Sequence, residues 1–196
     1  MLYADVLRPA RWRYAWLYDA ILVVSGSLLV AISARLAIPL PFSPVPITGQ
    51  TFAVLLVGAL LGSKRGSLAM LTYLAEGLAG LPVFAGGTAG LAILVGPTGG
   101  YVVGFVGAAG ITGFLAERGW DRRTGSTMLA MLLGNITIYV FGLPWLAHFV
   151  GSARVLTLGL LPFLPGDIIK LIIASLLLPA GWKVIGLIRH EPQARH

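Results

Sequence analysis

The sequence predicts an all-α integral membrane protein of six transmembrane helices with both termini in the cytoplasm. Three observations carry that expectation. Apolar residues make up 57% of the 196-residue chain and charged residues only 11%, whereas a soluble globular protein carries about 25% charged residues. Six apolar runs, at residues 20–38, 48–62, 66–80, 98–116, 126–149 and 165–188, approach the ~20 residues that a bilayer crossing takes, and continuous apolar runs satisfy their backbone groups in lipid as helices. With both termini inside, eleven of the fourteen Lys and Arg residues fall on the cytoplasmic side and only Arg35, Arg154 and Lys170 do not, a strong positive-inside bias.

Taken in order, the elements form a single membrane domain over 1–196. Residues 1–16 are a cytoplasmic or interfacial segment, not a cleavable signal, because the first apolar run is too long for a signal core and no small-residue cleavage site follows it. In Arg11-Trp12-Arg13-Tyr14-Ala15-Trp16-Leu17-Tyr18 aromatic residues alternate with basic and apolar ones, which reads as an anchor at the inner leaflet. The first span gives way to Pro39-Leu40-Pro41-Phe42-Ser43-Pro44-Val45-Pro46, whose four prolines in eight residues cannot continue a helix and stiffen an outer loop. The second and third spans are short and split by the tight polar turn Gly62-Ser63-Lys64-Arg65-Gly66. Two more outer segments, glycine-rich 81–97 and 151–165, frame the later spans, and residues 189–196 form a cytoplasmic tail. The special backbone chemistry thus lies on one side, which suggests a site that opens outward.

Composition also excludes function classes. The net charge of +7 is distributed between apolar runs, so it reads as topology signal and contact with anionic lipid rather than as a nucleic-acid surface. There is no cysteine, and the three histidines stand at 148, 190 and 196, so no disulfide, thiolate or histidine metal cluster can be assembled. Gly58 to Arg65 fails as a phosphate-binding loop, because its glycine spacing is one residue short and Arg65 stands where Ser or Thr is needed. No nucleophile elbow or dinucleotide fingerprint is present. The chain is expected to be no enzyme, to hold no cofactor and to hydrolyse no ATP by itself.

Intramembrane charges are the sharpest functional signal, since burying them is costly. Asp167 and Lys170 follow Pro165-Gly166 and stand at i and i+3, on one helix face; they read as a ligand-binding acceptor and donor, as an internal salt bridge, or with Asp167 as an N-cap. Glu76, in Tyr73-Leu74-Ala75-Glu76-Gly77, serves either binding or packing. Gln50 and Thr48 open the second span and either line a pocket or cap the helix. Asn135 and Tyr139, at i and i+4, share a face and reach either a ligand or a neighbouring helix. Arg35 steers an anion or snorkels to headgroups. Small residues at packing spacing, Ser27 and Ala31 in the first span and Gly100, Gly104 and Ala108 in the fourth, signal close helix approach, or on the first span a docking face.

Four segments in order, Ile38 to Thr51 (IPLPFSPVPITGQT), Gly80-Leu81-Pro82-Val83-Phe84, Gly96-Pro97-Thr98-Gly99-Gly100-Tyr101 and Pro165-Gly166-Asp167-Ile168-Ile169-Lys170, make the chain resemble the BioY family, the biotin-specific S components of energy-coupling factor (ECF) transporters, from about Ala34 to Pro179. The resemblance implies a six-helix S-component bundle in a bacterial plasma membrane that captures biotin on the outer side. It implies partners, a membrane-embedded coupling protein and cytoplasmic ATP-binding subunits, with Ser27 and Ala31 fitting the small-residue face that docks on the coupling protein. The ureido ring of biotin offers two N–H donors and a carbonyl. Asp167 suits the former, and Lys170 suits either the carbonyl or the valerate carboxylate. Phe42, Phe84 and Tyr101 suit the apolar ring and tail, and Gln50, Tyr73, Glu76, Gly86, Asn135 and Tyr139 complete the expected substrate-binding set. The alternatives are an S component for another vitamin, a self-sufficient secondary biotin transporter, or a purely structural membrane protein.

Overall fold

The structure is a computed structural model that describes residues 2–6 and 15–190. Residues 11–14 of the expected anchor and the tail beyond 190 lie outside the described residues.

The chain is mostly helical. A short α1 (Tyr3–Val6) precedes α2 (Ala15–Ser33), and a hairpin of β1 (Ala37–Leu40) and β2 (Ser43–Thr48) follows. Next come α3 (Gln50–Leu61), α4 (Ser63–Leu78), a 3₁₀ turn at Ala85–Gly87, α5 (Leu91–Val95) and α6 (Gly99–Glu117). A second 3₁₀ turn (Trp120–Arg122), α7 (Thr124–Val150), α8 (Val155–Gly159) and α9 (Leu164–His190) complete it.

One expectation is corrected here. The fold is not purely helical, because the proline-rich segment forms an antiparallel hairpin pairing Ala37 with Thr48 and Leu40 with Ser43. Proline lacks an N–H but its fixed φ suits extended backbone at a sheet edge, and the register is irregular between Ile38 and Leu40, where Pro39 sits. For the same reason the first long helix ends at Ser33, not at residue 38. The helices differ in length. Four helices, Ala15–Ser33, Gly99–Glu117, Thr124–Val150 and Leu164–Gly186, are long and apolar enough to cross a membrane. The expected second and third spans are the 12-residue α3 and the 16-residue α4, about 18 and 24 Å at 1.5 Å per residue.

Helix α6 is the central strut, packed on α7, α3 and α4. Its small residues permit this: a Cβ on Gly104 would sit 3.2 Å from the Ile138 backbone, and one on Gly58 of α3 would sit 2.5 Å from the Ala109 carbonyl. The expectation of close approach along Gly100, Gly104 and Ala108 matches this packing. Outward, the long helices present apolar side chains such as Leu28, Ile32, Val140, Ile169 and Leu176, 50–69% exposed, the apolar surface that a bilayer covers.

At the end of the bundle holding the α3–α4 and α6–α7 turns, the connections are polar and tied down. Gly62 turns with φ +87°, a left-handed conformation that favours glycine. Glu117 Oε1 accepts from the Ser63 N–H at 2.7 Å and its hydroxyl at 2.8 Å, which places a carboxylate at the start of α4, where the helix dipole favours it. Arg65 bridges Asp5 at 2.8 Å and Asp19 at 2.9 Å. The Tyr3 ring packs 4.4 Å from that of Trp182 and its hydroxyl donates to the Leu178 carbonyl. Burial, with the nearby Asp121 adding, pushes the Tyr3 hydroxyl up to about 12.

Candidate functional site: an apolar pocket with a buried carboxylate

At the other end of α6 the helices diverge around a cavity of about 630 Å³ of non-atom space, its opening to solvent included. Strand β2 contributes Val45, Pro46 and Thr48, and α3 contributes Gln50 and Thr51. The 3₁₀ segment and α5 supply Phe84, Ala85 and Ile93, and α6 supplies Tyr101, Val102 and Phe105 from just beyond Thr98. Asn135, Ile138 and Tyr139 come from α7, and Phe163, Asp167 and Lys170 from the start of α9. Most of this wall is apolar, so its few polar groups decide what it can hold.

Asp167 is 4% exposed. Its Oδ2 accepts from Asn135 Nδ2 at 3.0 Å and from the Tyr139 hydroxyl at 2.5 Å. Lys170 Nζ lies 3.6 Å from Oδ1 and donates to the Thr48 carbonyl at 2.9 Å and to Thr51 Oγ1 at 2.8 Å. The internal ion pair is therefore present but long, and each partner is held by other bonds. Asp167 is not a cap: it lies in the first turn of α9, which begins at Leu164, and its carboxylate faces α7. An ionised carboxylate only accepts, so Asn135 must turn its amide nitrogen to Asp167, which leaves the Asn135 carbonyl as a second acceptor. Tyr101 stands edge-on to Tyr139, centroids 6.2 Å apart, and donates to the Gly159 carbonyl at 2.9 Å, pinning α8 to α6.

The structure brings Asp167, Lys170, Gln50, Phe84, Tyr101, Asn135 and Tyr139 together around the cavity. It leaves four of the expected set outside its lining. Phe42 is at the hairpin turn and 58% exposed, because the two-residue turn throws its side chain away from the strands. Gly86 sits in the 3₁₀ segment, its N–H donating to the Ala34 carbonyl at 3.1 Å. Tyr73 is fully buried behind Gln50, whose Nε2 donates to its hydroxyl at 2.5 Å. Glu76 faces α2, where Ser27 Oγ donates to its Oε1 at 3.0 Å. That bond also corrects the docking expectation: Ser27 is 0% and Ala31 8% exposed, so these small residues turn inward, Ser27 onto α4. Gln50 lines the pocket rather than capping α3, whose N-cap is Gly49 without a side-chain bond. Arg35 donates to the Pro82 carbonyl at 2.9 Å and is not in the lining.

Sequence reasoning missed Thr51, Phe105, Ile138 and Phe163. Phe105 stands four residues after Tyr101, on the same helix face, a signal that was available. Thr51 closes the Ile38–Thr51 segment on which the resemblance rests, but its bond to Lys170, 119 residues away, had no local signal.

Fold and site together define a multi-pass membrane protein that frames a largely apolar pocket around a buried carboxylate. Comparison with known proteins agrees: a family model described as the BioY family matches residues 8–187, and the chain belongs to that family. It is 38% identical over 160 residues to a biotin transporter BioY of Rhizobium etli, covering 78% of this chain and 86% of the relative. A probable biotin transporter BioY of Pyrococcus horikoshii is 41% identical over 142 residues, covering 72% and 82%. Among solved structures, the S-component for biotin from an ECF-type ABC transporter superposes with a TM-score of 0.76 at 28% identity, covering 89% of this chain and 95% of that one.

Proposed function

We propose that this chain is the biotin-capturing S component of an ECF-type importer, a transport subunit and not an enzyme, in a bacterial plasma membrane. The observation that supports the reading is the small set of polar groups gathered on an otherwise apolar cavity wall: acceptors on Asp167 and Asn135 and a donor on Lys170. A cyclic urea offers the complement, two N–H donors flanking a carbonyl. In this reading Asp167 Oδ1 and Asn135 Oδ1 accept from the ureido N–H groups and Lys170 donates to the ureido oxygen. The apolar ring and tail of biotin then lie along Phe84, Tyr101, Phe105 and Phe163. Six helices cross the membrane, the short α3 and α4 included, with both termini inside and the cavity outside. A membrane-embedded coupling protein and cytoplasmic ATP-binding subunits supply the energy.

The test is titration of the purified chain with biotin, with unrelated vitamins and with biotin amide, which keeps the ureido ring but lacks the carboxylate. Biotin should bind and the other vitamins should not. Lys170→Met should weaken biotin and biotin amide by the same factor. A loss confined to biotin would move Lys170 to the carboxylate end, and equal binding of unrelated vitamins would overturn the biotin assignment.

A further inference from the structure

Tyr73 does not touch the cavity, yet it is fully buried in α4 and joins two parts of the cavity wall. Its hydroxyl accepts from Gln50 Nε2 at 2.5 Å and donates to the Val83 carbonyl at 2.9 Å. Gln50 opens α3, and Val83 precedes Phe84, the residue that the loop after α4 places in the pocket. The Tyr73 ring meets Phe84 edge-on, centroids 5.5 Å apart at 83°. One turn further along α4, a Cβ on Gly77 would lie 2.0 Å from the Phe84 ring, so that ring is seated on bare backbone. A hydroxyl has one proton to give. Because that proton goes to Val83, the oxygen must accept from Gln50, which fixes the Gln50 amide with its nitrogen toward α4 and its carbonyl left for the pocket.

We infer that Tyr73 is a positioning residue for the ligand site: through one hydroxyl it sets the orientation of Gln50 and holds the loop bearing Phe84 against the cavity. The ligand arm of the test rests on the biotin reading above; the ligand-free arm does not. Tyr73→Phe keeps the ring and removes only the hydroxyl, and Gln50→Leu breaks the same bond from its other end. The full chain in detergent or nanodiscs is measured for backbone hydrogen exchange without ligand, and for biotin association and dissociation rates. In Tyr73→Phe, exchange should quicken at residues 82–88 and not across the long helices, since local opening reports local ties. Biotin dissociation should rise by about tenfold with association within about twofold, as for most contact losses at a preformed site. The effects of Tyr73→Phe and Gln50→Leu on dissociation should combine to clearly less than their product, as for residues sharing one network. Unchanged exchange at 82–88, exchange that quickens evenly over the whole bundle, or strictly multiplicative effects would each overturn the assignment. If the parent chain does not bind biotin, the functional reading fails, and the ligand-free exchange still decides the role of Tyr73.

Discussion

Asp167 concentrates the chemistry of this chain because each of its oxygens has a separate task. Oδ2 is consumed by Asn135 and Tyr139, which hold the carboxylate in place from α7. Oδ1 faces Lys170 at a distance too long for a hydrogen bond, so it keeps capacity for a ligand N–H. Lys170 in turn is anchored on Thr48 and Thr51. Removing one partner of a buried ion pair usually destabilises strongly, but here neither group is left without bonds when the other is changed. Asp167→Asn and Lys170→Met should therefore melt close to the parent in the absence of ligand. Each should lose biotin affinity by roughly tenfold to a hundredfold, which corresponds to the ~1.5–3 kcal/mol of a hydrogen bond to a charged group. Both quantities are read on the same folded preparation, thermal melting first and titration second. If both variants bind biotin as tightly as the parent, the pair is not the ligand site.

At the scale of elements, the contact between the α6–α7 turn and α9 makes a separate prediction. Asp121 is 1% exposed; its Oδ2 accepts from the Trp182 indole N–H at 2.5 Å, and its Oδ1 is buried without a hydrogen-bond partner. Burial holds its carboxyl above the ordinary carboxylate range, with the indole bond pulling the other way. A carboxyl whose folded pKa is raised stabilises the fold when neutral, and that contribution is lost as pH rises through the folded value. Asp121→Asn carries no charge at any pH and still offers the indole an acceptor. It should melt above the parent at neutral pH, and the gap should close as pH falls through the carboxylate range. A gap that is constant with pH, or that widens on acidification, would show that the carboxylate charge is not what the fold opposes.

For the whole molecule, the polar turns gather at one end of the bundle and the cavity at the other, and the orientation proposed above, with the first end in the cytoplasm, rests on the distribution of Lys and Arg. Since the chain has no cysteine, single cysteines report sidedness cleanly. Lys64→Cys, exposed in the first turn of α4, should resist a membrane-impermeant thiol reagent in intact cells and react after lysis. Ser152→Cys, exposed between α7 and α8, should react in intact cells. Labelling of the first and protection of the second would invert the topology.

Much of this arrangement is determined by the sequence alone. Apolar run length and charge distribution place the helices and their polar turns, because both follow from the cost of putting backbone and charge into lipid, whatever the fold. The pairing of Asp167 with Lys170 on one face, and of Asn135 with Tyr139 on another, is local helical geometry and was equally legible. Only the tertiary structure decided that these two faces meet, so that Asn135 and Tyr139 bond Asp167 and Thr51 bonds Lys170. It alone turned Ser27 and Ala31 inward, set Phe42 outside the pocket, and converted a proline loop into a paired hairpin. Each of those outcomes depends on which surfaces of distant helices touch, and small residues such as Ser27 permit close approach equally to an internal neighbour, a partner or lipid. Spacing records that permission, and packing selects among its uses.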